Sequence, residues 1–132
     1  MATLEQALIQ RLLETNSLEG FVDDRIHWDE QPQGNPLPTI TLLTVTNDRP
    51  QHLKGYQGTR ETRVQCDVRA DTTELALAIA RAVIYALEPA GNFNGHRFGR
   101  TSAEGPRTLN EDLNGNLIHR QSVDLLIWHV GD

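Results

Sequence analysis

Across residues 60–70, polar and apolar positions alternate. Arg60, Thr62, Val64, Cys66, Val68 and Ala70 fall on one side; Glu61, Arg63, Gln65, Asp67 and Arg69 fall on the other. A two-residue period turns one set toward a core and the other to the opposite face of a strand. The period then changes. Thr72 or Thr73 offers an N-cap, and Pro89 stops a helix at about Glu88. Glu74, Arg81 and Glu88 share one narrow stripe of that helix, and Leu75, Ala78, Ile79, Ala82, Val83 and Ala86 are expected to fill its buried face. Leu77, Ile84, Tyr85 and Leu87 are left over. This is more apolar surface than one small sheet covers, and it points to assembly.

The flanking segments follow the same logic. Thr3 is set to cap a helix reciprocally with Gln6, and Leu4, Ala7, Leu8, Leu12 and Leu13 keep helical spacing to about Glu14. Asn16 and Ser17 are expected to break it, with 18–22 a short turn packed on the core. Residues 25–29 predict a short strand with Ile26 and Trp28 on one face. Three prolines and a glycine make 31–38 a loop. The β-branched run 39–47 predicts a strand. The polar connector 47–58, with Pro50, Gly55 and Gly58, reads as an extended hairpin arm. Asn94-Gly95 marks a turn into a strand at 96–103, 105–116 a loop, and 117–129 a closing strand. The expected fold is one domain over 1–132, an α+β two-layer structure with a mainly antiparallel β-sheet and two helices on one face.

Composition narrows the function classes. The 132 residues, 38% of them hydrophobic, support one modest core. A net charge of −6 argues against gripping a nucleic-acid backbone through a broad positive field, though not against enclosing nucleic acid without binding it. The cations are lopsided, with Lys54 the one lysine beside eleven arginines. Arginine favours interfaces, but a GC-rich coding sequence explains the bias equally well. Cys66 stands alone, so no internal disulfide forms. No signal-peptide pattern opens the chain, and no apolar run approaches the roughly 20 residues a membrane span needs. A soluble cytosolic product without membrane association is the expectation.

No constellation for chemistry emerges. His27, His52, His96, His119 and His129 are scattered; His119 and His129 stand about 33 Å apart on one extended strand and share no ion. Cys66 lies on an apolar strand face, where burial raises a thiol pKa and blocks access. Glu61 and Asp67 alternate with Arg63 and Arg69, a self-paired polar face or a subunit seam rather than a general acid and base. The acidic Asp23, Asp24, Asp29 and Glu30 lack a calcium-loop pattern, and no glycine motif cradles phosphate. Trp28 and Trp128 read as core or interface anchors. The expectation is no enzyme, with no catalytic residue, metal or cofactor.

The order of elements and several local sequences resemble the small tail-completion, or tail-terminator, proteins of long-tailed bacteriophages and gene transfer agents. The matching pieces are the N-terminal helix, the strand RIHWDE after an acidic turn, the approach PxGNPLPTITL and the C-terminal LLIWH. The block GYQGTRETRVQCDVRADTTELALAIARAVIYAL carries most of the resemblance. The resemblance implies a structural virion protein of the tail and neck, made in the bacterial host cytoplasm. It implies a ring, commonly of six copies, that caps the tail tube, ends its polymerisation and meets the head side. Expected partners are further copies of the chain, the major tail-tube protein and a head-completion or connector protein, with DNA passing through the lumen without specific binding. Leu77, Ile84 and Tyr85 are the candidate patch on the helix, Arg49, Lys54 and Tyr56 the candidate patch on the arm, and Arg63 and Arg69 candidates on the charged strand face. The alternative is a non-catalytic small-molecule or peptide-binding module using Trp28, Trp128 or Tyr56. A hydrolase using His and Asp/Glu is a minor third option.

Overall fold

The computed structural model describes residues 3–29, 36–47, 51–52, 55–56, 59–93, 96–113 and 115–130. Helix α1 (Leu4–Leu13) opens with the expected capping box: Thr3 Oγ1 accepts from the Gln6 amide while Gln6 Oε1 accepts from the Thr3 amide. The expected turn at 18–22 is instead a helix, α2 (Asn16–Val22), with Leu18 and Val22 buried one turn apart. Asn16 and Ser17 break α1 only to occupy the first turn of the next helix, where short polar side chains are tolerated better than in a helix interior.

Strand β1 (Ile26–Trp28) runs parallel to the start of β2 (Thr39–Asn47), which pairs antiparallel with β5 (Thr59–Ala70). Between them β3 (Gln51–His52) and β4 (Gly55–Tyr56) form a separate two-stranded hairpin in the expected arm. Helix α3 (Thr73–Leu87) follows, capped by the Thr72 hydroxyl accepting from the Leu75 amide. Then come β6 (Gly91–Phe93), β7 (His96–Thr108), β8 (Glu111–Leu113) and β9 (Asn116–Val130). The main sheet has the order β1-β2-β5-β9-β7-β6, with β8 paired to β9, and every junction except β1-β2 is antiparallel.

Strand β7 continues five residues beyond Ala103, through what the sequence suggested was a loop. The pairing passes from Glu104↔Asp124 to Arg107↔Ser122, so Gly105-Pro106 sits in a bulge rather than ending the strand. Pro lacks an N–H for the ladder, and a bulge near a sheet edge is where a strand accommodates it.

One core joins the helices to a single face of the sheet. Ile40 and Leu42 of β2, Val64, Cys66 and Val68 of β5, and Val123, Leu125 and Ile127 of β9 all turn inward, as the alternation requires. Leu4, Leu8 and Leu12 of α1 and Leu18 and Val22 of α2 complete it. The buried row of α3 is Ala76, Ile79, Ala80, Val83 and Leu87. That is a turned helix relative to the sequence expectation: Ala78 is exposed and Leu87 is core. Thr73 Oγ1 lies 2.9 Å from His119 Nδ1 on β9, which ties the first turn of α3 to the sheet and sets which row faces inward. With Ala76 and Ala80 in that row the helix can approach the strands closely.

Candidate assembly surfaces

The face of the sheet away from the helices carries the odd residues of β5 and the even residues of β9. Its centre is a ladder of charges. Arg63 reaches Glu104 at 3.2 Å and Asp124 at 3.0 Å, and Arg107 also reaches Asp124. Arg120 donates to Asp67 at 2.6 Å, and Arg69 to Glu111 at 2.9 Å. Four arginines therefore meet four carboxylates across β5, β7, β8 and β9. Hydrogen bonding to Glu104 holds the Arg63 guanidinium above its ordinary pKa; burial opposes this, and the Glu104 charge and the hydrogen bond and charge of Asp124 add to the rise. The opposite-charge reading of this strand face was available from sequence, but Arg107, Glu111, Arg120 and Asp124 were not. They come from strands paired far along the chain.

Apolar groups border this ladder. Leu43 and Val45 on β2 are 45% and 48% exposed, and Trp128 on β9 is 45% exposed. A Cβ at Gly99 would stand 3.0 Å from the Trp128 Cβ, so the bare backbone of β7 lets Trp128 of β9 come close there. Open clefts lie to either side of Trp128, one bounded by Arg97 and Val130, the other by Ile84, Glu88 and Arg100. Trp28 has a different role. It packs against the core and its Nε1 donates to the Glu5 carbonyl at 3.0 Å, fastening α1 to β1.

On α3, Tyr85 is 72% exposed, Leu77 is part-buried, and Ile84 packs partly on the core. Tyr85 is the outermost of the three. Tyr56 lies on β4, its backbone paired with Gln51. Arg49 and Lys54 fall outside the described residues. The structure thus places the α3 candidates on the helix layer and Arg63 and Arg69 on the opposite sheet face, so these two groups do not form one patch.

A buried polar cluster, unforeseen from sequence, closes one end of the core. Arg11 of α1 donates through Nη2 to the carbonyls of Ala86 at 3.0 Å and Pro89 at 2.8 Å, at the C-terminal end of α3. Its guanidinium carbon stands 3.7 Å from the Phe93 ring centre. Burial lowers its pKa to about 10. A cation suits the negative end of a helix dipole, and an aromatic face adds to that attraction. Nearby, His129 contacts Thr62 Oγ1 at 2.8 Å through Nε2 and His96 Nε2 at 3.1 Å through Nδ1. The β7–β9 register, which sets Phe98 opposite His129, brings the two imidazoles together. The cluster is a chain of hydrogen bonds inside the fold. No group of three or more His, Cys, Asp or Glu suited to a metal occurs among the described residues. Cys66 is buried between Val64 and Val68, and burial, with the Asp67 charge adding, pushes its thiol up to about 12.

The described residues form a helix-backed, mainly antiparallel sheet with a self-neutralised charged face and apolar groups at its margins. Residues 6–129 match the family model for tail completion protein gp17, and the chain belongs to that family of tail structural proteins. Among solved structures, it is similar to a chain of the "Virion of native gene transfer agent (GTA) particle", with a TM-score of 0.62 and 20% identity over 96% of this chain and 92% of that one. At that identity the likeness establishes the fold. No curated protein sequence matches the chain. No helix of the described residues is long and apolar enough to cross a membrane.

Proposed function

We propose that this tail completion protein caps the finished tail tube as a ring, six copies being the expected number, ends tube polymerisation and contributes to the joint between tail and head. The observation that carries this reading is the family match, which spans both sheet edges and all of α3. The likeness to a chain of a gene transfer agent virion supports placing it in an assembled particle. Its partners are other copies of itself, the major tail-tube protein and a head-completion or connector protein. Cyclic closure joins one patch to a different patch on the neighbour. Tyr85 with Leu77 and Ile84 on α3, the arm with Arg49, Lys54 and Tyr56, and the strand face with Arg63 and Arg69 are the candidate contacts. DNA would pass the lumen without specific binding, in keeping with the net charge of −6 and with arginines already paired to carboxylates on the outer sheet face.

Light scattering and negative-stain microscopy of the purified protein, alone and mixed with tail tubes, test the proposal. A ring in solution, or a monomer that closes into a ring on tube ends, is the expected result. A monomer that leaves tube ends bare and elongating would overturn it.

A further inference from the structure

Among the described residues, both margins of the main sheet lack a neighbouring strand over part of their length. On one side β1 covers β2 only at Ile40, Thr41 and Leu42, leaving the stretch from Leu43 onward without a neighbouring strand among the described residues. On the other side β6 covers β7 only at His96, Arg97 and Phe98. Beyond that, the Thr101 amide turns away from β9 toward the Glu88 carbonyl at 3.4 Å, so by alternation Ala103 also presents its backbone groups outward. Ile40 does the same on β2, donating to the Arg25 carbonyl, and the alternation places Thr44 outward as well.

The two open stretches stand at the same height. Thr46 pairs with Arg63, Arg63 with Leu126, and Leu126 with Ser102, one row across four strands. Leu43, Gln65, Asp124 and Glu104 form another. The rows below are blocked at one end by β1 and disrupted at the other by the bulge at Gly105-Pro106. The rows above are covered by β6 on β7 and run past the end of β2. Among the described residues, only Leu43–Asn47, which carries a register shift between Thr44 and Thr46, and Ser102–Glu104, beyond the Thr101 amide bound to Glu88, lack a neighbouring strand at the same height.

Strand direction completes the argument. From β2 through β5 and β9 to β7 the four strands alternate, so β2 and β7 point opposite ways. A rotation about an axis along the strands therefore brings the β7 of one copy antiparallel to the β2 of the next, with the helices of both on the same face. Two identical edges could not close a ring this way, whereas two different edges form the heterologous contact that cyclic symmetry requires. Unpaired edges also attract another strand, because their N–H and C=O groups have no partner.

We infer that a second copy of this chain occupies the open edge: Ser102–Glu104 of one copy pairs antiparallel with Leu43–Asn47 of its neighbour, making the ring's sheet continuous from copy to copy. This rests on the ring proposed above and specifies how its copies join. Thr46 and Ser102 are exposed, lie on the outer face in one row, and take no part in the ion-pair ladder. In the assembled ring they would face one another across the junction, within disulfide reach. Cys66 is buried and does not compete.

The test is oxidation of the Thr46→Cys/Ser102→Cys double variant after assembly on tail tubes, with each single variant as control. The expected result is a ladder of disulfide-linked species rising to a closed ring in the double variant and none in the singles. A companion variant, Thr44→Pro, removes an outward N–H from the edge, where proline is tolerated within the monomer. It should keep the monomer's circular dichroism and melting temperature while lowering ring yield at least tenfold. Rings that form normally without a ladder in the double variant, and undiminished by Thr44→Pro, would overturn the edge junction and leave the ring intact. Absence of rings from the unmodified protein on tube ends would overturn both.

Discussion

Arg11 shows how one side chain joins three elements. It leaves α1, donates to two carbonyls at the end of α3, and lies over Phe93 of β6. Its charge is held at a cost, seen in the lowered pKa and in an Nη1 without a hydrogen bond. Arg11→Ala should lower unfolding free energy by about 2 kcal/mol in urea titrations, and Arg11→Lys should recover less than half, since a compact ammonium has no planar guanidinium to lie over the Phe93 ring. An unchanged midpoint for Arg11→Ala would remove it from the stabilising set. Cys66 predicts a pH effect. Its thiol is raised from 9.0 to about 12 in the fold, so the contribution is fully present below pH 9 and is lost as pH climbs from 9 toward 12. At pH 10 the unfolded chain gains on the order of 1 kcal/mol from ionising it. Cys66→Ala should therefore show a shallower loss of stability between pH 8 and 10 than the unmodified chain, whatever its baseline. At pH 8 the native thiol stays protonated and buried, and a thiol reagent should leave the folded protein unlabelled.

At the level of elements, the helices and strands with clean local signals stand where the sequence put them. The Thr3–Gln6 capping box, the Thr72 cap, β2 and β5 all agree with the reading of pattern alone. The misread elements have a common cause. Gly105-Pro106 looked like a loop, yet the strand β9 beside it carries β7 through as a bulged strand. Gly105 has φ +108, and a Cβ there would meet the Ser122 carbonyl at 3.0 Å. Gly105→Ala should cost about 1–2 kcal/mol, read as a lower melting temperature. A neutral result would mean that the bulge relaxes freely. The face of α3 was misjudged because an Ala-rich helix offers several rows of comparable apolarity. The Thr73–His119 contact and the close approach of Ala76 and Ala80 select one.

For the whole molecule, the outer sheet face and the helix layer divide the labour. The sheet face neutralises its own charge, while α3 leaves Tyr85 outward. Tyr85→Ser should shift monomer stability by no more than about 0.5 kcal/mol, as a surface change away from any cap or core contact. If α3 meets a neighbouring copy, the same change should weaken ring formation by tenfold or more, measured by sedimentation or by ring counts on tube ends. Equal ring yield would take Tyr85 out of the interface. If the sheet edges form the second contact, Tyr85→Ser and Thr44→Pro act on separate surfaces, and their effects on assembly should add.

What the sequence determined alone was local: the strand periods, the two capped helices, the stop at Pro89, the inward turn of Val64, Cys66 and Val68, and a family resemblance that the family match over residues 6–129 bears out. These signals work because side-chain period and capping act over three or four residues. Tertiary structure decided the rest. Arg63 meets Asp124 across 61 positions, His96 meets His129 across 33, and Arg11 reaches Ala86 across 75. No local pattern encodes such partners, because strand register and helix rotation are set by how the whole core packs. Among the described residues, the same register leaves Leu43–Asn47 and Ser102–Glu104 without a neighbouring strand at one height.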